Sequence, residues 1–262
     1  MIDIIKSEKA FKKYLENYDL DDDRIKLKVT HTYGVVDASQ RLAQKLNLSK
    51  EDTDLSKLIA LLHDIGRFEQ TKSIKGIYDN ADSYVFDHAD YGVKVLFEDG
   101  LIREFIEDDS YDEIIRTAIL NHNKIKIDDA VEGRALVHSK LIRDNDKMDN
   151  FRVKLTENYK VLLGTDDIDF IENEKISDII YETFMSKKLV NIHDTKTCLD
   201  RWIGYIAFIF DIYYNENFEY IKEKDLINRC FDRITYKNAD TIDKITKMKK
   251  LANEYINERN CS

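Results

Sequence analysis

The chain has 262 residues, 43% of them apolar and 35% charged, and a formal net charge of −10. It can bury a sizeable core, and its acidity argues against a protein that wraps nucleic acid or lies on anionic lipid. The longest apolar run, Trp202 to Phe210, is too short to cross a bilayer, and Met1-Ile2-Asp3-Ile4-Ile5-Lys6 lacks the hydrophobic stretch of a signal peptide, so a cytoplasmic protein is expected.

There is no proline and there are 8 glycines, which suits long helices. Residues 1–20 read as a short helix with Ile4, Ile5, Phe11 and Tyr14 or Leu15 on one side. Asp21-Asp22-Asp23 then caps a helix from about Ile25 to Leu46, in which Val35, Leu42 and Leu46 recur at helical steps and His31 lies near the start. Residues 47–53 read as a loop with capping chemistry. Leu55 to His63 is the next helix, with Gly66 as its stop. Residues 67–82, which include Gly76, Asp79 and Asn80, show no periodicity and read as a connector or a loop over a site. A helix from about Ser83 to Phe97 carries His88, Ala89, Gly92, Val93 and Leu96. After a short amphipathic piece at 101–107, Ser110 or Asp112 caps a helix in which Ile114, Ala118 and His122 form a row. Arg134 to about Leu155 is another helix, with His138, Ile142, Asp146 and Asp149 on one face. Gly164-Thr165-Asp166-Asp167 is the candidate boundary, and further helices are expected over 175–187, 196–214, 224–234 and 239–258. The scattered Cys198, Cys230 and Cys261 fit neither a zinc knuckle nor a disulfide framework and read as reduced thiols.

The stretch Leu58-Ile59-Ala60-Leu61-Leu62-His63-Asp64-Ile65-Gly66-Arg67-Phe68 stands out, because an apolar helix ends in two ionisable groups side by side. With His31, His88, His122 and Asp146 it makes a set of imidazoles and carboxylates suited to one or two divalent transition metal ions, Mn, Fe, Co, Ni or Zn. His31, His63, Asp64 and Asp146 would make one site. His88 and His122 would add a second, with Asp64 bridging through its two oxygens. Two such ions can share a hydroxide and clamp a phosphoryl group. Asp144 and Asp146 face different sides of a helix, so only one can serve, and Asp146 is preferred. Asp149 is a candidate for orienting an imidazole. His138 and His193 read as packed core histidines. Arg67, Lys124 and Lys147, next to the ligand segments, are candidates for holding substrate phosphate.

In order and context His31, His63-Asp64 and Asp146 resemble the HD superfamily of metal-dependent phosphohydrolases. Leu62-His63-Asp64-Ile65-Gly66-Arg67-Phe68, Asp87-His88-Ala89 through Gly92, Asn121-His122-Asn123-Lys124 and Asp144-Asn145-Asp146-Lys147-Met148-Asp149 strengthen the likeness, which covers about residues 25–155. It implies an all-α fold with a five-helix core, here followed by additional C-terminal helices over about 165–262 in a single helical domain. His88 and His122 fit its dinuclear subgroup. A chain without proline lacks the Gly-Tyr-Pro of the cyclic-di-GMP subgroup, and no synthetase domain of the alarmone enzymes is seen. The resemblance implies hydrolysis of a phosphate mono- or diester, nucleotides included. His63, Asp64, Arg67 and Lys124 would be at the catalytic centre, and Arg67, Lys124 and Lys147 on the substrate. The alternatives are an HD-fold diiron oxygenase and an inactive nucleotide-binding sensor. The expected partner is a small phosphorylated substrate, without membrane or stable nucleic-acid binding; a homo-oligomer is compatible.

Overall fold

The computed structural model describes residues 2–73 and 87–260. Its regular elements are all helical among the described residues, and none is long and apolar enough to cross a membrane. The chain divides into two compact units, Met1–Asp149 and Asn150–Ser262.

In the first unit, short polar side chains take up the free N–H groups at helix starts. Asp3 caps α1 (Ile4–Leu15), Asp22 caps α2 (Asp23–Lys45) and Ser49 caps α3 (Lys50–Leu62). The loop expected over 47–53 is therefore already helical from Lys50. On α1, Ser7, Phe11 and Leu15 turn inward at steps of four, whereas Ile5 is 68% exposed. At 3.6 residues per turn Ile5 lies about 200° round the helix from Ser7, which corrects its expected place on the inner side. α2 and α3 pack together, with Val35, Leu42 and Ala43 buried on one and Leu55, Leu58 and Leu62 on the other. Each such leucine contributes about 1.5–3 kcal/mol relative to exposure.

After Leu62 the structure departs from the expected helix stop. α4 (Ile65–Ser73) begins before Gly66 and runs through it, so His63 and Asp64 form the joint between two helices. Gly66 has a different use. A Cβ there would lie 2.2 Å from the carbonyl oxygen of His88 and 2.8 Å from the nitrogen of Gly92, so its absence lets α4 meet α5 (His88–Val93) backbone to backbone. The connector expected over 67–82 is helical as far as Ser73. Its remainder, with Gly76, Asp79 and Asn80, and the helix start at Ser83 lie outside the described residues. From Lys94 to Glu98 the chain widens into a π-helix, in which Asp99 N–H bonds the carbonyl of Lys94. α6 (Ile102–Phe105) follows, then α7 (Asp112–His122). Neither Ser110 nor Asp112 caps α7. Asp108 instead caps the single 3-10 turn Asp109–Tyr111 that leads into it.

The start of α3 is tied to α8 (Gly133–Thr156). Arg134 donates to Asp52 and Glu51, both at 2.7 Å, and the buried His138 meets Asp52 at 3.1 Å. Partial burial of Asp52 opposes ionisation. Hydrogen bonds from His138, Ser49 and Arg134 outweigh it and bring the carboxyl from 3.8 down to about 2. A depressed carboxylate stabilises the fold above its unfolded pKa, and that contribution disappears as pH falls through the folded value. Urea midpoints should therefore decline between pH 5 and pH 2 more steeply for the native chain than for Asp52→Asn. Parallel declines would show that this cluster carries no pH-dependent stability.

In the second unit, short helices α9 (Tyr159–Leu163) and α10 (Ile168–Asn173) precede α11 (Asp178–Met185). Gly164, in the proposed boundary stretch, ends α9 with a left-handed φ of 82°, and the division between units falls earlier, at Asp149 and Asn150. α12 (Cys198–Ile206) opens on a Thr197–Asp200 capping box and runs into a 3-10 turn, Ala207–Asp211. α13 (Asn215–Glu223), α14 (Leu226–Asp232) and α15 (Ala239–Asn260) complete the unit. Its aromatic residues pack. Trp202 is buried and donates to the carbonyl of Cys230 at 3.1 Å, and Phe210 lies edge-on to Phe184 and Tyr255. Cys198 and Cys230 are buried and free; Cys261 lies outside the described residues. His193, expected in a core, is exposed, because it sits in the 3-10 turn Ile192–Asp194, which buries no side chain.

Candidate metal centre

Five segments of the first unit send their imidazoles and carboxylates to one place. His31 comes from α2, His63 and Asp64 from the α3–α4 joint, His88 from the first position of α5, His122 from the last of α7 and Asp146 from α8. Their ligand atoms form two groups able to hold a metal ion: His31, His63 and Asp146, and Asp64, His88 and His122. In the first, Nε2 of His31 is 3.0 Å and Nε2 of His63 3.9 Å from Oδ1 of Asp146. In the second, Nε2 of His88 and of His122 lie 3.4 and 3.5 Å from Oδ1 of Asp64 and 3.1 Å from each other. Oδ2 of Asp64 faces back to Nε2 of His63 at 3.9 Å. Asp64 therefore turns one oxygen to each group.

The rings are held by their far nitrogens. Nδ1 of His63 meets the carbonyl of Ala60 at 2.8 Å, and Nδ1 of His122 that of Ile119 at 2.6 Å. A carbonyl can only accept, so both Nδ1 atoms carry hydrogen and both rings turn Nε2 toward the site. On His31 the orienting group is Asp149, whose Oδ2 is 2.7 Å from Nδ1. Asp144, fully buried on the same helix, is not in either group.

The donors fit a divalent ion. Nε2 of His63 is buried with no hydrogen-bond partner, which is costly unless a cation takes its lone pair. Metal–ligand bonds of about 2.0–2.2 Å place donor atoms roughly 3–3.5 Å apart, close to the spacings seen here. Burial lowers His63 to about 4 and His88 well below the usual imidazole range, so both are neutral ligands near pH 7. Asp64 is held well below the usual carboxylate range, because His63, His122, Lys28 and His88 outweigh its burial. His31 is the exception. Burial opposes its charge, but Asp146 and Asp149 raise it to about 9. Without metal, its Nε2 proton occupies the place that a divalent ion would take.

Two cations lie beside the Asp64 carboxylate. Nε of Arg67 is 3.7 Å from Oδ1 of Asp64, and Nζ of Lys28 is 3.8 Å from Oδ2. Lys28 escaped the sequence reading, although it precedes His31 by three residues and so shares its helical face. Lys124 reaches Oδ2 of Asp87 at 3.8 Å with its side chain 45% exposed. Lys147 is buried and donates to the carbonyl of Arg143 at 3.2 Å. Arg143 was also missed. Fully buried, it donates to the carbonyls of Asn121, Lys124 and Ile125 at 2.7, 2.6 and 3.2 Å and so closes the C-terminal end of α7. Its sequence signal is a lone Arg in the apolar context of Leu141-Ile142.

Residues 29–151 match the family model for the HD domain. No curated protein and no solved structure matches the chain. Residues 29–151 are therefore an HD domain, the domain that defines a superfamily of metal-dependent phosphohydrolases.

Proposed function

We propose that this protein hydrolyses a phosphate mono- or diester, nucleotides included, at a two-ion centre. The observation that carries the reading is Asp64, whose two oxygens face two separate ligand groups. His31, His63, Asp146 and Oδ2 of Asp64 would hold one ion. Oδ1 of Asp64, His88 and His122 would hold the other. Divalent ions bound there supply an activated water and offset the charge that builds up in displacement at phosphorus. Asp149 keeps Nε2 of His31 turned inward, and the carbonyls of Ala60 and Ile119 do the same for His63 and His122. Arg67 and Lys28, one beside each oxygen of Asp64, orient the phosphoryl oxygens, with Lys124 as a further cation on the exposed side. Lys147, turned to the Arg143 carbonyl, supports the interior of α8 in this scheme.

Metal-stripped protein reloaded with Mn, Co, Ni, Zn or Fe(II) should release phosphate or cleave a diester in at least one metal. Oxygen uptake with Fe(II) and no ester cleavage would instead identify an oxygenase. Tight nucleotide binding without turnover in the metal-loaded protein would identify a sensor. Arg67→Ala should raise KM for the best substrate by about 10-fold or more, because a hydrogen bond to a charged group contributes about 1.5–3 kcal/mol. An unchanged KM would remove Arg67 from phosphate binding.

A further inference from the structure

The two ligand groups are held in different frames. His31 is set by Asp149. His88 and His122 are joined through their immediate chain neighbours. Asp87, just before His88, accepts the N–H groups of Ala89 at 2.7 Å and Asp90 at 3.4 Å on Oδ1. The same oxygen accepts the side-chain amide of Asn123, just after His122, at 2.8 Å. One bond thus links the cap residue before α5 to the cap residue after α7, beside two imidazole nitrogens 3.1 Å apart. Arg143 fixes the same end of α7 from α8 through its backbone carbonyls.

We propose that the Asp87–Asn123 bridge, backed by Arg143, positions His88 against His122 and so sets the affinity of the second ion. This rests on the two-ion reading above. Neither bridging side chain is a ligand in that reading; both act through the histidines next to them. Outer groups that orient metal-binding imidazoles change affinity by roughly 10- to 100-fold when removed. The ion held by His31, His63 and Asp146 should respond far less, because those ligands come from α2, the α3–α4 joint and α8.

Metal-stripped protein titrated with Mn²⁺, with bound metal counted by elemental analysis and helical content followed by circular dichroism, tests this. The native chain should take up two ions. Asn123→Ala should keep the first within about threefold and weaken the second about 10- to 100-fold. Asn123→Asp, which opposes two carboxylates, should weaken the second ion at least as much. The exchange variant D87N/N123D restores a donor–acceptor pair and should recover most of the loss, which a general effect on folding would not do. Two ions bound by Asn123→Ala with native affinities would overturn the proposal, as would equal weakening of both with an unchanged helical signal. Should Asn123→Ala fold poorly, failure of the exchange variant to recover the second ion lost in Asn123→Asp would have the same force. Uptake of fewer than two ions by the native chain would overturn the two-ion reading itself.

Discussion

Asp64→Ala should lower turnover by about 10³-fold or more and leave the protein unable to hold its normal metal content, with helical circular dichroism largely retained. The expectation follows from the position of this carboxylate. It is 5% exposed and turns an oxygen to His63 on one side and to His88 and His122 on the other. A divalent ion contributes several kcal/mol to stabilising charge at a phosphoryl centre, and every 1.36 kcal/mol is tenfold in rate. On the proposed two-ion reading both ligand sets share Asp64, so its removal would act on both ions. His88→Ala removes a ligand from one set only and should cost less metal than Asp64→Ala. The helices should persist, because they are held by the core of Leu55, Leu58, Ile59 and Ile115 and its neighbours rather than by the site. Metal content and initial rates on the two variants provide the comparison. Native metal content in Asp64→Ala would refute the shared carboxylate.

Gly66→Ala should have the second large effect, and it should act on structure and metal together. The added methyl would meet the carbonyl oxygen of His88 at 2.2 Å and the amide nitrogen of Gly92 at 2.8 Å. Both are backbone atoms, so no rotamer change can relieve the clash. α4 and α5 must separate, and His88, at the first position of α5, must move with its helix. Overpacking of this kind costs about 1–3 kcal/mol. For a chain of this size that lowers Tm by roughly 2–4 °C per kcal/mol. Displacement of His88 should also weaken the second ion more than the first. Gly92→Ala is the internal control. Its methyl would meet the side-chain Cγ2 of Ile65 at 3.3 Å and the nitrogen of Gly66 at 3.4 Å, so a small adjustment suffices. Thermal melts of the two variants should rank Gly66→Ala well below Gly92→Ala; equal melting temperatures would contradict the close approach.

The candidate site was legible because its chemistry is rare in this chain. A His-Asp pair at the end of Leu58–Leu62 cannot be explained by burial alone, and His122 continues a helical row with Ile114 and Ala118. The all-α fold followed from periodicities of three and four. What remained hidden depends on distant contacts. Gly66 reads as a stop because glycine often ends helices, and only the approach of α5 reveals its use. Lys28 and Arg143 were hidden among 41 basic residues, since charge alone does not tell a solvated lysine from one beside Asp64. The short helices Tyr159–Leu163 and Ile168–Asn173 are too brief to display a period, and their caps Asn158 and Asp167 look like ordinary loop residues.

His63 and His122 are each anchored to a carbonyl three residues earlier on their own helix. These two side chains therefore acquire their aim as soon as their helices are formed. Capturing an ion then demands little rearrangement from them, and the entropy of fixing both rings is already spent in folding.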